Sequence, residues 1–546
     1  MLYNVVKRGD RMETAIFDPL EAFETRLKEQ HLAKTEAFFE SLVKQSGVDI
    51  EKNRETVRQY NACKENVGKL TTKRNWLRFF RVLACITIIL IPLVIWKLTP
   101  MIRALKKEIE EADQKAEELL NEAQRQMAPL NALFTDQDAL RLIEETMPLL
   151  TFAPCFSAEQ ETDMKVNYDF SVQDDVERSS VDVLAGHYNE NPFLFEKKKI
   201  HTMGVETYHG YKTIHWTERY RDSKGNWHTR TQSQTLHATV TKPKPYYHTQ
   251  VVLSYCAQGG PELSFTRDAT NLDRKSEKQI ERYVKKGERK LQKLNEEAVE
   301  ENDDFTSMSN SEFEVLFDAL DRTDEVQFRT LFTPLAQTNM VDLLLSKTGY
   351  GDDFHFLKAK RTNRIITQHS QGRPLLLSPD AYTSYSFDII KSNFEGKNTD
   401  FFKAVYFDFA PLLAIPMYQE RPVHSLKPIP DLSQQYSLKQ FETLANAANP
   451  SHMVHPETKT EAILKSSFVR SKDGVDETCI TAYSYDIAKR LDFVPMLGGD
   501  GRMHSVPVEW DDYLPLKAEN HFLVARSEQT NSSIASRNGL SIFHKS

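Results

Sequence analysis

The chain has 546 residues, of which 40% are apolar and 27% charged, with a formal net charge of −8. The length fits several domains of ordinary size. The acidic balance and only 19 glycines argue against a chain that coats nucleic acid with a basic surface, and against collagen-like or glycine-rich chains.

Residues 1–78 read as a helical hairpin. Asp18 followed by Pro19 forms an N-cap and first helical position. Leu20, Phe23, Leu27, Phe38 and Leu42 then mark an apolar stripe. Ser46-Gly47 stops the helix, and Asp49 opens a second one through Ile50, Val57, Tyr60 and Val67. The N-terminus lacks the apolar run of a cleaved signal peptide.

The next segment, 79–98, predicts a transmembrane helix from about Phe79 to Trp96. Val82 to Trp96 carries no charge, Arg81 and Lys97 can snorkel, and Trp76 and Trp96 sit at interfacial positions. Five cations precede the run (Lys69, Lys73, Arg74, Arg78, Arg81) and four follow it (Lys97, Arg103, Lys106, Lys107). That excess favours a cytoplasmic N-terminus for a single-pass membrane protein and leaves the side of the C-terminal region open.

Residues 99–130 continue as a juxtamembrane coiled-coil helix. Leu98, Ile102, Leu105, Ile109, Ala112, Ala116, Leu119 and Ala123 alternate steps of four and three among charged residues. The seam predicts a parallel homo-oligomer tethered to a lipid bilayer.

Downstream the expectation is α+β, strand-rich with antiparallel hairpins. Residues 131–270 form a strand-rich domain behind a short helix. Its clearest hairpin pairs Ile214 with Leu236, centres its turn on Gly225, and puts Ile214, Trp216, Leu236 and Val240 on one face. A charged helix covers 271–305, and 306–425 is mixed α/β. Within it, Phe354 to Leu357, Arg364 to Thr367 and Tyr382 to Ile390 read as strands, and Phe401 to Tyr418 as a core strand. An antiparallel meander covers 426–526, with turns at Ser471 to Gly474 and Gly498 to Gly501, before a frayed tail at 527–546.

Chemistry-bearing motifs are sparse. Cys63, Cys85, Cys155, Cys256 and Cys479 are widely spaced and read as free thiols. The candidate metal ligands are His215 with His237, on the polar face of the hairpin, and His452 with His455 in a proline-flanked HxxH. Neither pair has an identifiable third ligand, so no metal and no cofactor are expected. No G-x-S-x-G, Walker A or G-x-G-x-x-G sequence occurs, and no catalytic residue can be named. Nine Lys or Arg and three Glu lie between Arg274 and Lys293, backed by acidic residues, which reads as a solvated helix rather than a nucleic-acid site. The function this suggests is a membrane-anchored, non-enzymatic scaffold or binding protein presenting strand-rich domains to a protein partner. The alternatives are a membrane-tethered hydrolase built on the histidine-rich sheet, and a lipid-binding or envelope-organising protein.

Overall fold

The computed structural model describes residues 16–86, 94–171, 175–301, 306–346, 349–421, 427–428, 432, 434–448, 450–525 and 542–545. The chain forms two compact units. The first comprises Met1–Thr14, Asp18–Pro148 and Leu376–Tyr406, and the second Ala15–Phe17, Leu149–Leu375 and Phe407–Ser546.

The first unit is helical. Asp18 accepts from Glu21 N–H and starts a short helical segment at Pro19 that leads into α1 (Lys28–Ser46). Gly47 ends it in the left-handed conformation at φ 62°, where a side chain would be strained. Helix α2 (Ile50–Ile86) and helix α3 (Thr99–Asn131) then run antiparallel. Asn53 Nδ2 lies 3.3 Å from Gln126 Oε1, and Cys63 Sγ donates to the Ala112 carbonyl at 3.3 Å. Lys64 and Asp113 approach to 3.9 Å.

This geometry corrects the membrane expectation. Among the described residues no helix is long and apolar enough to cross a membrane. The middle of the apolar run, 87–93, lies outside the described residues. Its flanks do not continue in one direction as a single span requires. The turn Val94–Leu98 packs back against α2, and α3 returns alongside it. The single-pass placement and the orientation derived from it fall with that helix.

The coiled-coil stalk is corrected on the same ground. Ile102, Leu105, Ile109, Ala116 and Ala123 are buried within this chain, and Leu98, Ala112 and Leu119 are half-buried. Their cover is α2, whose less exposed positions Asn53, Val57, Tyr60, Cys63, Val67, Leu70, Arg74 and Leu77 also step by threes and fours. Half of that stripe is polar, so it does not read as a seam in the sequence.

The base of the hairpin enters the core. Met127 and Leu130 join Phe39, Leu42, Phe134 and Leu142, of which the last two come from the segment around α4 (Asp138–Thr146). Tyr382, Phe387, Ile390 and Phe394 complete the cluster.

The second unit carries two antiparallel sheets. The first contains β1 (Leu150–Phe152), β2 (Arg178–Tyr188), β3 (Asn191–Arg221), β4 (Trp227–Cys256), β5 (Ser264–Arg267), β6 (His355–Ala359) and β7 (Thr362–Ile366). Their order is β1-β2-β3-β4-β7-β6-β5. Helix α5 (Ala158–Tyr168) follows β1. Helices α6 (Glu277–Glu301), α7 (Ser311–Phe317), α8 (Glu325–Leu331) and α9 (Pro334–Leu345) separate β5 from β6. Pro334 opens a helix. It occupies the first turn of α9, behind the N-cap Thr333. The charged segment 271–305 is largely α6, whose Ile280, Leu291 and Ala298 are buried.

Phe401 to Tyr418 is not a strand. Helix α10 runs Phe387–Leu413, so most of this stretch and the end of the Tyr382 to Ile390 segment are helical. Phe402 and Tyr406 belong to the first unit, Phe407 and Phe409 to the second. A helix apolar on most sides shows no period, and aromatic content then misleads toward strand.

The second sheet has the order β11-β10-β9-β8, from β8 (Ile463–Lys472), β9 (Val475–Leu497), β10 (Met503–Ala525) and β11 (Ile542–Lys545). Helix α11 (Leu438–Ala447) precedes β8. Both predicted turns of the meander occur, but β9 and β10 pair over their whole lengths as one long ribbon.

The distal parts of β3 and β4 form a second two-stranded ribbon. Ile214, Leu236 and Ala238 pack on Val506 and Val508 of β10. The backbones approach closely at Gly210, where an added β-carbon would lie 2.1 Å from the Pro507 carbonyl oxygen. The β3–β4 register differs from the expected one by two residues. Ile214 faces Gln234, not Leu236. Asp222 Oδ1 accepts from Lys224 N–H and Asn226 N–H, and this closes a five-residue turn ahead of Trp227. A slip of two preserves the faces, so the apolar set still points inward.

Candidate functional site

The seven-stranded sheet buries a different chemistry on each face. One face is aromatic, with Phe193 and Phe195 packing edge-on to Phe409 at 5.1 and 5.4 Å between ring centroids. On the other, register places Glu196 opposite Val252 and Lys198 opposite Gln250. Ser254 faces Arg364, Arg364 faces Leu357, and Leu357 faces Thr266. These side chains share one face because facing residues of an antiparallel pair point the same way.

Helix α11 and strand β8 stand over that face and enclose a cavity of about 340 Å³. Lys439 and Glu442 reach it from α11, Lys465 from β8, and Arg178, Ser179 and Ser180 from β2. Phe170, Val252, Leu357 and Ile366 supply apolar wall.

Two buried carboxylates organise the charges. Glu196 Oε1 accepts from Lys439 Nζ at 2.5 Å and from Ser180 Oγ at 2.5 Å, and Glu196 Oε2 lies 3.3 Å from Lys198 Nζ. Glu442 Oε1 lies 2.8 Å from Lys465 Nζ, and its Oε2 accepts from Ser180 N–H at 2.8 Å. Ser180 thus joins both carboxylates, one through its hydroxyl and one through its amide. The amide is available because the β2–β3 register shifts between Ser180 and Asp182.

Burial and charge pull these groups in opposite directions. Burial alone would raise Glu196, but the ammonium groups of Lys439 and Lys198 outweigh it and hold the carboxyl at about 2. Burial lowers Lys198 and Arg364, and raises Glu442.

The positive charges are not fully matched. Glu196 serves two lysines. Arg364 donates from Nη2 to the Ser171 carbonyl at 2.6 Å and to the Ser171 hydroxyl at 3.1 Å, is attracted by Glu196 from farther off, and has no carboxylate within ion-pair distance among the described residues. Arg178 is met by Asp175 at 3.3 Å, and Arg267 is neutralised by the buried Asp353. At the rim, His355 Nδ1 lies 3.2 Å from Asp268.

The histidines singled out in the sequence lie elsewhere. His215 faces Ser233 and is exposed, four residues along the ribbon from the strand partner of His237. His237 meets His209 instead, Nε2 to Nδ1 at 2.9 Å. His452 ends a 3₁₀ turn, and His455 Nδ1 accepts from Glu457 N–H at 3.3 Å. Among the described residues no group of three or more His, Cys, Asp or Glu is placed to hold a metal ion. The sequence signal for the cavity was an alternating strand whose inward positions carry charge, Phe195-Glu196-Lys197-Lys198. It marks a charged buried face only once the neighbouring strands are in register. The chain matches no protein-family model, no curated protein and no solved structure.

Proposed function

We propose that this chain is a binding protein rather than a catalyst, and that its sheet cavity takes a small anion, a carboxylate or phosphate, on a short apolar body. The observation that carries the reading is Arg364, a half-buried guanidinium lining the cavity with no carboxylate within ion-pair distance among the described residues. A buried charge without a partner is costly, and a ligand anion would remove that cost. The second cation in excess comes from the pair Lys198 and Lys439, which share Glu196. The wall of Phe170, Val252, Leu357 and Ile366 suits an apolar body, and the volume is that of small-ligand sites.

The test is calorimetry and thermal unfolding of the full chain with octanoate, inorganic phosphate and 1-octanol. Octanoate should bind and raise the unfolding temperature, by the mass-action stabilisation expected of a native-state ligand. Octanol should do neither, and Arg364→Gln should abolish the octanoate effect. Phosphate acting alone would show that the headgroup suffices. Equal effects of octanoate and octanol, or unchanged octanoate binding by Arg364→Gln, would overturn the reading.

A further inference from the structure

The two ribbons pack inner face on inner face, which leaves two outer faces of different character. On β3–β4 the outer face is largely a polar ladder, with Thr207 against Thr241 at 3.3 Å, Thr213 against Thr235 at 3.1 Å, and the His209–His237 pair between them. On β9–β10 the outer face carries Leu491, Phe493, Pro495 and Leu497 at every second position of one strand. Met503 faces Leu497 across the ribbon. Phe493 and Leu497 are each 64% exposed and Met503 62%. Alternate positions on the opposite side of the same strand, Val494 and Met496, pack inward.

This patch exposes on the order of 400–500 Å² of apolar surface, as much as the largest patch of a typical monomer. Addition at the strand edges is disfavoured. Pro495 and Pro507 remove donors from strands that have no third neighbour there among the described residues. What remains is a flat apolar face. Its rim carries both signs, with Lys489 paired to Asp511 at 2.6 Å. Such a rim can face its own image without net repulsion. A twofold axis doubles the covered surface to about 800–1,000 Å², which reaches the lower bound of a specific interface.

We infer that the outer face of the β9–β10 ribbon is a self-association surface, covered by the same face of a second copy of the chain. The geometry is that of two sheets packed face to face. The small area makes the dimer weak, with half-association between about 1 and 100 µM.

The test is sedimentation velocity of the full chain up to about 100 µM, with cysteine cross-linking to locate the contact. The wild type should dimerise, and Phe493→Lys with Leu497→Lys should be monomeric. Met203→Lys, on the outer face of the other ribbon, should still dimerise. In a chain with its five cysteines replaced, Phe493→Cys should cross-link between copies and Trp96→Cys should not. Trp96 is 89% exposed on the helical hairpin, so it reports association through that other apolar surface. Circular dichroism verifies folding of the lysine variants, and Met503→Lys gives a second disruption of the patch. A wild type monomeric at 100 µM, dimers persisting in the double variant, or cross-linking at Trp96 equal to that at Phe493 would each overturn the inference.

Discussion

Lys439 Nζ donates to Glu196 Oε1 at 2.5 Å, and this buried pair joins helix α11 to strand β3. Glu196 is held at about 2, below its usual value of 4.5, so its ionisation stabilises the fold. That contribution is fully present above pH 4.5 and is lost as pH falls toward 2. Glu196→Gln leaves Lys439 and Lys198 without their anion and should cost about 3–5 kcal/mol at pH 7. Urea unfolding from pH 2 to 7 checks this: wild type and variant should converge at the acid end. A constant offset across the range would contradict the assignment.

Asp408 predicts the opposite pH dependence. Its buried carboxylate accepts hydrogen bonds from the Thr367 and Ser370 hydroxyls, and burial pushes it up to about 7 in spite of them. The associated stability is present below the unfolded value near 3.8 and is lost as pH rises through 7. The loss is on the order of 4 kcal/mol. Hydrogen exchange in the Asn363 to Gln371 segment should therefore accelerate between pH 5 and 8 beyond its intrinsic rate. Asp408→Asn should flatten that excess, and an equal excess in both proteins would refute the prediction.

The antiparallel hairpin makes a topological prediction. Cys63 lies against the Ala112 carbonyl, so Ala112→Cys, with Cys85, Cys155, Cys256 and Cys479 replaced, should form a disulfide within one chain. The product should run as a monomer under denaturing, non-reducing conditions. A parallel stalk would instead link residue 112 to residue 112 between copies. Leu105→Ala, at a buried position of the same seam, should cost about 2–5 kcal/mol in the first unit.

Gly287 of α6 and Val315 of α7 form a close helix contact. A β-carbon at Gly287 would sit 2.3 Å from Val315 Cγ1. Gly287→Ala should therefore destabilise the second unit by about 1–3 kcal/mol, although alanine is the better helix former. Val315→Ala in the same chain should recover part of the loss. Thermal unfolding of the single and double variants decides it, and strict additivity would show that the contact does not limit packing.

The sequence revealed local features and left the long-range ones hidden. Gly47 as a helix stop, Asp18 as a cap, and the turns at Gly474 and Gly501 depend on neighbouring residues, and all occur. The partner of the α3 seam was not legible, because α2 answers it with Asn53, Cys63 and Arg74 interspersed among its apolar positions. Phe401 to Tyr418 was misread because its apolar residues point to every side of α10. The cavity needed the register of six strands and a lysine 243 positions from its carboxylate. Charged residues that look solvated in the sequence, such as Glu196 and Glu442, are buried in the fold.

The division of α10 between two units also has a consequence for synthesis. The aromatic core of the first unit holds Phe39, Phe134 and Leu142 from the N-terminal part of the chain, and Tyr382, Phe387, Ile390 and Phe394 from beyond Leu376. On a ribosome the early residues emerge while the later ones are still unmade, and the whole interval from Leu149 to Leu375 must be translated first. At the usual rates of elongation the gap lasts roughly ten seconds or more. A nascent chain stopped before Leu376 should therefore hold its N-terminal helices with an open apolar side, a natural place for a chaperone to bind.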